Sequence, residues 1–218
     1  MSITSGQLLA EAAPNFKSLS RRYLQYSPPQ PWPETPFPLI HETGAKKRND
    51  IPEGHYCVRN AQIMAQTHNT IFRGLNAIYH QAKQVVPGTK DAADLLLFCA
   101  IACDFIECHH HAEETVYFPA IEEAADMPGL MDGNIEQHHA LEEGLERLRR
   151  YANDTNKWEY DAEELQHIIG QLAGPLGTHM HEEIPTILDL HEKVPSSVLK
   201  RIYGKMHNVA ADTMDKWK

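Results

Sequence analysis

The chain has 218 residues, a hydrophobic fraction of 42% and a formal net charge of −10 with neutral histidines. Its size and composition are sufficient for a sizeable buried core. The acidic excess argues against a nucleic-acid partner, because a phosphate backbone needs a basic face. No stretch approaches the ~18 apolar residues of a membrane span, and the N-terminus lacks the basic and apolar runs of a signal peptide. We therefore expect a cytoplasmic protein with no membrane or nucleic-acid partner.

Cysteine and histidine usage narrows the class further. The four cysteines show no CxxC spacing, so reduced thiols in an intracellular protein are the preferred interpretation. The 14 histidines are the unusual feature of the composition, because many of them are clustered.

Residues 1–54 are irregular in composition, and prolines are dense in the segment SPPQPWPETPFP at 27–38. This segment should run extended, because proline breaks helices. We interpret residues 1–54 as an arm that either packs on or near a helical domain or is partly disordered. Trp32 and Phe37 favour packing, because they give the arm apolar side chains to bury.

The first long helix is predicted from Tyr56 to about Val86, where Pro87 and Gly88 follow. Its core-facing positions recur every three or four residues, which is the period of a helix. These positions are Met64, His68, Ile71, Leu75, Ile78 and Ala82. His68 is therefore a polar residue on an otherwise apolar face.

The second helix is predicted to begin near Thr89, and its inward face also includes polar members. The inward positions are Leu95, Phe98, Ala102, Phe105, His109, Glu113, Val116 and Ala120. His109 and Glu113 are four residues apart, so they lie one above the other on the same face. Pro119 should bend or loosen the helix one turn beyond them, because it lacks a backbone N–H.

The third helix is predicted over about 131–152, with His138 as its inward histidine. This choice depends on three leucines that follow His138 at helical spacing: Leu141, Leu145 and Leu148. The fourth helix is predicted over about 161–191. In it, His179 and Glu183 repeat the four-residue spacing found in the second helix.

Four helices joined by short loops predict an all-α, up-down-up-down four-helix bundle over residues 55–192. Residues 193–218 are predicted as an extra C-terminal helix outside the bundle. His138 lies early in the third helix and His179 late in the fourth, so we expect them at one level. Whether His68 and the second-helix pair share that level stays open.

The polar inward residues together predict a metal site. Carboxylates in a bundle core are costly unless they are paired or bind a metal, and no inward lysine or arginine is predicted. The candidate ligands are His68, His109, Glu113, His138, His179 and Glu183. Two ions that share two bridging carboxylates, with two imidazoles each, account for the whole set. Mixed imidazole and carboxylate donors suit iron first, with manganese or zinc as alternatives.

Four other histidines are predicted to lie off the inward faces: His110, His111, His139 and His181. His110 and Glu114 also have four-residue spacing, and they would become the ligand pair if the helix were rotated by ~100°. The apolar residue Phe105 argues against that rotation. Glu114 and Glu182 are either acceptors that orient a ligating imidazole or solvated carboxylates.

The ordered motifs HHHAEETVYFP, EQHHALEEGLERL and HMHEEIPTILDL, preceded by His68, resemble the hemerythrin-like, or HHE cation-binding, domain. The similarity covers about residues 55–192, and the segment RGLNAIYHQA resembles fungal members in particular. The resemblance implies a four-helix bundle around a di-iron centre with an oxo or hydroxo bridge. Members of this family carry or respond to oxygen, sense iron, or handle nitric oxide or peroxide.

Two positions depart from the invertebrate oxygen-carrying members of the family. Those proteins have a fifth histidine where this chain has Asn134. Their fourth-helix carboxylate is an aspartate five residues after its histidine, whereas Glu183 comes four residues after His179. The resemblance implies that five histidines leave one particular iron open to dioxygen. Their absence here disfavours reversible oxygen transport and favours an open position on each iron.

Three functions are consistent with these observations. The first is a non-haem di-iron protein that binds, senses or reacts with a small diatomic molecule or peroxide. The second is a sensor or store of metal without turnover. The third is a metal-free helical interaction protein. Whether the chain is an enzyme stays open at this stage.

Overall fold

A computed structural model describes residues 33–215, with side chains described to residue 212. These residues form helices and loops, and no β-strand occurs among them. The main elements are α1 (Tyr56–Ala82), α2 (Lys90–Ala112), a π-helical segment (Glu113–Tyr117), α3 (Phe118–Ala125), α4 (Asp132–Asp154), α5 (Ala162–Asp189) and α6 (Ser196–Asp215). Short 3-10 turns lie at Ala45–Lys47, Lys157–Glu159 and Leu190–Glu192.

Four of these helices form the predicted bundle. α1 packs against α2 and α5, and α4 packs against the same two helices, so the four close into a ring around one core. This confirms the predicted all-α, up-down-up-down fold class. None of the helices in the described part of the chain is long and apolar enough to cross a bilayer.

The helix ends follow from local sequence. The Thr89 hydroxyl accepts a hydrogen bond of 3.3 Å from a backbone N–H in the first turn of α2. The Asp161 carboxylate accepts two such bonds in α5, at 2.8 and 3.1 Å. α1 ends at Ala82, before the predicted end at Val86. Pro87 explains why the helix does not include Val86, because proline pushes the residue before it towards extended backbone.

The second bundle helix widens where the metal-binding motif lies. The π-helical segment begins at Glu113 itself, whereas the sequence predicted loosening one turn beyond it. Pro119 has no N–H to give to the carbonyl of Thr115, and its ring crowds that carbonyl. A wider π turn relieves both problems, so the disturbance lies on the N-terminal side of the proline.

The arm is bound to the bundle through two asparagines of α1. The Asn76 side chain accepts a hydrogen bond from the Phe37 N–H (2.9 Å) and donates one to the Phe37 carbonyl (2.7 Å). Asn69, two turns earlier, pairs in the same way with Ile40 at 2.7 and 2.9 Å. Phe37 is fully buried and stacks on Phe72.

The arm also reaches α5, where the His181 ring donates a hydrogen bond of 3.0 Å to the Pro38 carbonyl. The segment that includes Phe37 therefore covers the face formed by α1 and α5. The earlier part of the predicted arm, with Trp32, lies outside the described residues.

The C-terminal helix α6 packs across α1, α2 and the π-helical segment. Leu199, Ile202 and Met206 are its buried apolar residues. At its start, the Ser196 hydroxyl accepts a hydrogen bond of 2.9 Å from the backbone N–H of Tyr56. The helix therefore covers the outside of the region where α2 widens.

Replacing Asn76 by alanine should destabilise the protein by about 2–4 kcal/mol, because it leaves a buried N–H and a buried carbonyl of Phe37 without partners. Chemical denaturation of purified protein measures the change. Asn153→Ala is the control, because Asn153 is exposed near the end of α4, and it should change stability by less than about 0.5 kcal/mol. Equal effects of the two substitutions would contradict the role assigned to Asn76.

Candidate metal centre

The bundle core contains a polar cluster to which α1 and α4 each contribute one of the predicted side chains, α5 contributes two, and α2 with its π-helical segment contributes two. All six sequence-predicted candidates are buried there: His68, His109, Glu113, His138, His179 and Glu183. The four bundle helices therefore supply these groups at one depth along the bundle. His68 and the pair in the second helix lie at the same level as His138 and His179, which the sequence alone left open.

The ligand atoms of these residues face one another at short range. His68 Nε2 lies 3.2 Å from Glu183 Oε2, and His109 Nε2 lies 3.3 Å from Glu113 Oε1. The two Nε2 atoms of His138 and His179 are 3.0 Å apart. Atoms this close from six side chains define a single compact site rather than two separate ones.

His110 belongs to the same cluster, so the prediction that it lies off the inward face was wrong. Its side chain is 7% exposed, and its ring stacks on that of His138 with centroids 4.0 Å apart. Its Nε2 atom has no hydrogen-bond partner. His110, Glu113, His138 and His179 place ligand atoms within 4.8 Å of one another.

The error comes from the face assigned to α2. Phe98 was placed inward but is 38% exposed, whereas Cys99, Cys103 and Ile106 are fully buried. These three residues continue at helical spacing to His110. The signal was therefore in the sequence, because unpaired cysteine is among the most buried residue types and counts as an apolar side chain.

The core of the site is rich in polar atoms without partners. Within the described residues, neither oxygen of Glu113 nor of Glu183 has a hydrogen-bond partner, and the same holds for Nε2 of His68 and His109. The ionisable side chains beside them are imidazoles, and no lysine or arginine of the described part of the chain forms an ion pair with either carboxylate. Buried polar groups without hydrogen-bond partners cost folding free energy. The set is therefore suited to a bound species, such as a metal ion, that interacts with all of these atoms.

Burial also sets the protonation states. Desolvation raises the pKa of the Glu113 carboxyl well above its usual range, and the nearby Glu183 raises it further. Desolvation lowers the pKa of His109 to about 3 and that of His179 to about 2. His109 and His179 are therefore neutral at physiological pH, which is the form that binds a metal ion.

Hydrogen bonds from outside the cluster fix the imidazole rings. His68 donates from Nδ1 to the Met180 carbonyl at 2.8 Å. His138 donates from Nδ1 to the Glu114 carboxylate at 2.6 Å. In both rings Nε2 is left to face the centre of the cluster, as expected for metal-binding histidines.

The ring of His179 is held by a side chain that sequence reasoning missed. Its Nδ1 donates to the Gln137 side-chain oxygen at 3.3 Å, and the Gln137 amide donates to Glu182 at 2.7 Å. Glu182 therefore contacts the site only through Gln137. The other neighbouring histidines stay outside: His111 and His139 are exposed, and His181 binds the arm.

The clustered side chains fit metal ions. Besides the group that contains His110, two further groups bring their ligand atoms within 4.8 Å of one another: His68 with His109 and Glu113, and His68 with His179 and Glu183. Glu113 belongs to two groups and can join them, as a bridging carboxylate does. A fourth group around Asp50 is different, because it is exposed and Arg48 already binds its carboxylate.

Comparison with known families agrees with this geometry. Residues 59–190 match the description "Hemerythrin HHE cation binding domain". The match covers more than half of the chain, and the chain belongs to this family. The family description and the buried histidine and glutamate groups together indicate a metal-binding protein.

A relative from the fungus Cryptosporiopsis sp. (strain 8999) is described as a dimeric xanthone biosynthesis cluster protein. It is 33% identical over 178 residues, which is 81% of this chain and 66% of the relative. The chain therefore spans slightly less than two thirds of that relative's length. No solved structure matches the chain.

Glu113→Gln should stabilise the metal-free protein by about 1–3 kcal/mol, because it removes a buried charge that has no cation beside it. The gain should be larger at pH 7 than at pH 5. A carboxyl with a raised folded pKa stabilises the fold at low pH and loses that contribution as pH rises. Thermal denaturation of chelator-treated protein measures both effects.

Added metal should make wild type more stable than Glu113→Gln, which is the reverse of the order expected without metal. Wild type should gain about 3 kcal/mol at a hundredfold excess of metal over Kd, and Glu113→Gln should gain much less. Glu143→Gln, at an exposed position of α4, is the control and should behave as wild type. A Glu113→Gln variant that metal stabilises as strongly as wild type would remove Glu113 from the set of ligands.

His110→Ala should weaken metal binding by at least about tenfold, a loss already typical of changes around a metal ligand. The adjacent His111→Ala is a matched control, because that side chain is exposed and outside the cluster. Equilibrium titration with a competing chelator measures both affinities. Equal affinities in the two variants would show that His110 is buried without acting as a ligand.

Proposed function

We propose that the protein is a non-haem di-iron protein that binds, senses or reacts with a small molecule such as dioxygen, nitric oxide or peroxide. The observation that carries this proposal is the pair of buried ligand groups that share Glu113. Every carboxylate oxygen in them lacks a hydrogen-bond partner. One ion would leave part of this set unpaired, whereas two ions can satisfy it.

Iron is the metal that the donors favour. Neutral imidazoles with carboxylates suit iron, with manganese or zinc as alternatives, and no thiolate belongs to any of the groups. The seven side chains would hold the two ions, and any coordination position that they leave free would be open to a small molecule. When bound, the iron would supply the redox change, and the protein would supply the enclosure.

His110 changes the expected division of the imidazoles. The sequence predicted two imidazoles for each ion, with an open position on both. His110, His138 and His179 share one candidate ligand group with Glu113, and His68 and His109 share another, although His179 also belongs to a group with His68 and Glu183. If His179 binds on the side of His110, the imidazoles divide three to two, and one ion would be more open than the other. Such a division would keep reversible dioxygen binding among the candidate functions.

The residues around the site exclude bulk water and keep the imidazole of His109 unprotonated. The carboxylates of Glu113 and Glu183 are fully buried, so bulk water does not compete for their oxygens. The pKa of His109 is lowered by burial, which keeps that ring unprotonated and available for binding. Glu114 holds the ring of His138 through its Nδ1 proton.

A role in the biosynthesis of an aromatic natural product is a second candidate function. It is favoured by the name of the fungal relative, which refers to a dimeric xanthone biosynthesis cluster. In that case an aromatic substrate, rather than the small molecule alone, would be the species oxidised. Oxidation of a simple phenol by the iron-loaded protein is the assay that separates this candidate from the first.

The principal test is anaerobic titration of metal-free protein with Fe²⁺, followed by elemental analysis and exposure to dioxygen, peroxide or nitric oxide. We expect two irons per chain and a new near-UV absorption after oxidation. Two bound irons without any response to the three reagents would favour a store or sensor without turnover. A protein that takes up no iron would contradict the proposal and leave the metal-free interaction protein.

A further inference from the structure

A cleft opens between α2 and α4 and leads to the metal centre. Its volume is about 610 Å³, and both His110 and His138 lie on its lining. On the opposite side, the face of α1 and α5 is covered by the arm, where Phe37 is fully buried. The cleft therefore gives solvent a path to His110 and His138 on the side that the arm does not cover.

The walls of the cleft are acidic. Five carboxylates line it: Asp104, Glu107, Glu114, Glu142 and Glu146. The cationic side chain on the lining is Arg149, which is held by Asp104 at 2.6 Å and Glu107 at 2.7 Å. The remaining carboxylates are Glu114, Glu142 and Glu146. Glu146 also forms an exposed ion pair with Arg150 at 3.5 Å, so the negative excess comes mainly from Glu114 and Glu142.

A candidate metal-ligating side chain without a hydrogen-bond partner lies at the inner end of this cleft. His110 is 7% exposed, and its Nε2 atom has no hydrogen-bond partner. Beside it, Glu114 contacts both environments, because it is partly exposed to the cleft and holds the ring of His138 at 2.6 Å. At the inner end of the cleft, an entering species therefore meets a partly exposed carboxylate beside an imidazole whose Nε2 atom has no hydrogen-bond partner.

We propose that this cleft is the route by which divalent cations reach the metal centre, with Glu142 and Glu146 attracting them and His110 receiving them. The acidic walls favour the passage of a cation over that of a neutral molecule. Dioxygen, nitric oxide and hydrogen peroxide are neutral, so the negative charge does not attract them. A cation is concentrated by such a field, and its association is accelerated. The inference rests on the proposed metal-binding function.

The test is the rate of Fe²⁺ uptake by the full-length, metal-free protein under anaerobic conditions. Mixing is followed by a timed chelator quench and elemental analysis of the protein. The cleft variant is Glu142→Gln with Glu146→Gln, whose side chains are both more than half exposed. The matched control is Glu136→Gln with Glu143→Gln, on the same helix, exposed, with the same charge change and outside the cleft.

At low ionic strength the cleft variant should load iron at least about threefold more slowly than wild type, and the difference should shrink in high salt. The control should load like wild type, and all three proteins should reach the same final iron content. Equal slowing of both variants, or of neither, would overturn the proposed route while leaving metal binding intact. Failure of wild type to bind iron at equilibrium would instead overturn the proposed function, and the route with it.

Discussion

Two carboxylates in the middle of a helical core are the constraint on which this structure depends. Glu113 and Glu183 are fully buried, and their four oxygens have no protein donor within the described residues. Burying such groups without partners lowers the stability of the fold. Within the described residues, neither carboxylate has a lysine or arginine partner, and neither is replaced by an apolar side chain. The surrounding features follow from this: neutral imidazoles beside the carboxylates, and outer hydrogen bonds that turn each Nε2 atom inward.

The overall fold could be predicted from sequence because it depends on helical periodicity. Apolar residues at three- and four-residue spacing, with Pro87 and Asp161 near the helix ends, were sufficient for the bundle. The burial of His138 beside exposed His139 also follows from the leucines on the same face. The buried face of a regular helix can thus be predicted from sequence when its apolar residues define one face clearly.

His110 shows where this reasoning fails. The face of α2 was counted from aromatic residues, although Cys99, Cys103 and Ile106 carry the buried face. The count also assumed a regular helix through Glu113, where the chain instead adopts a wider π turn. The contacts of Gln137 were out of reach for another reason. They depend on which side chains from different helices meet, and no periodicity within one helix encodes that.

The arm held by Asn69 and Asn76 has a consequence for metal exchange. With the face of α1 and α5 covered, the group with His68 and His109 is the inner position, and the group with His110 and His138 is the outer one. If two ions bind as proposed and both pass through the cleft, an ion at the inner position would have to leave past the outer one. A chelator in solution would then remove the two ions one after the other, and a form with one ion would precede the metal-free protein.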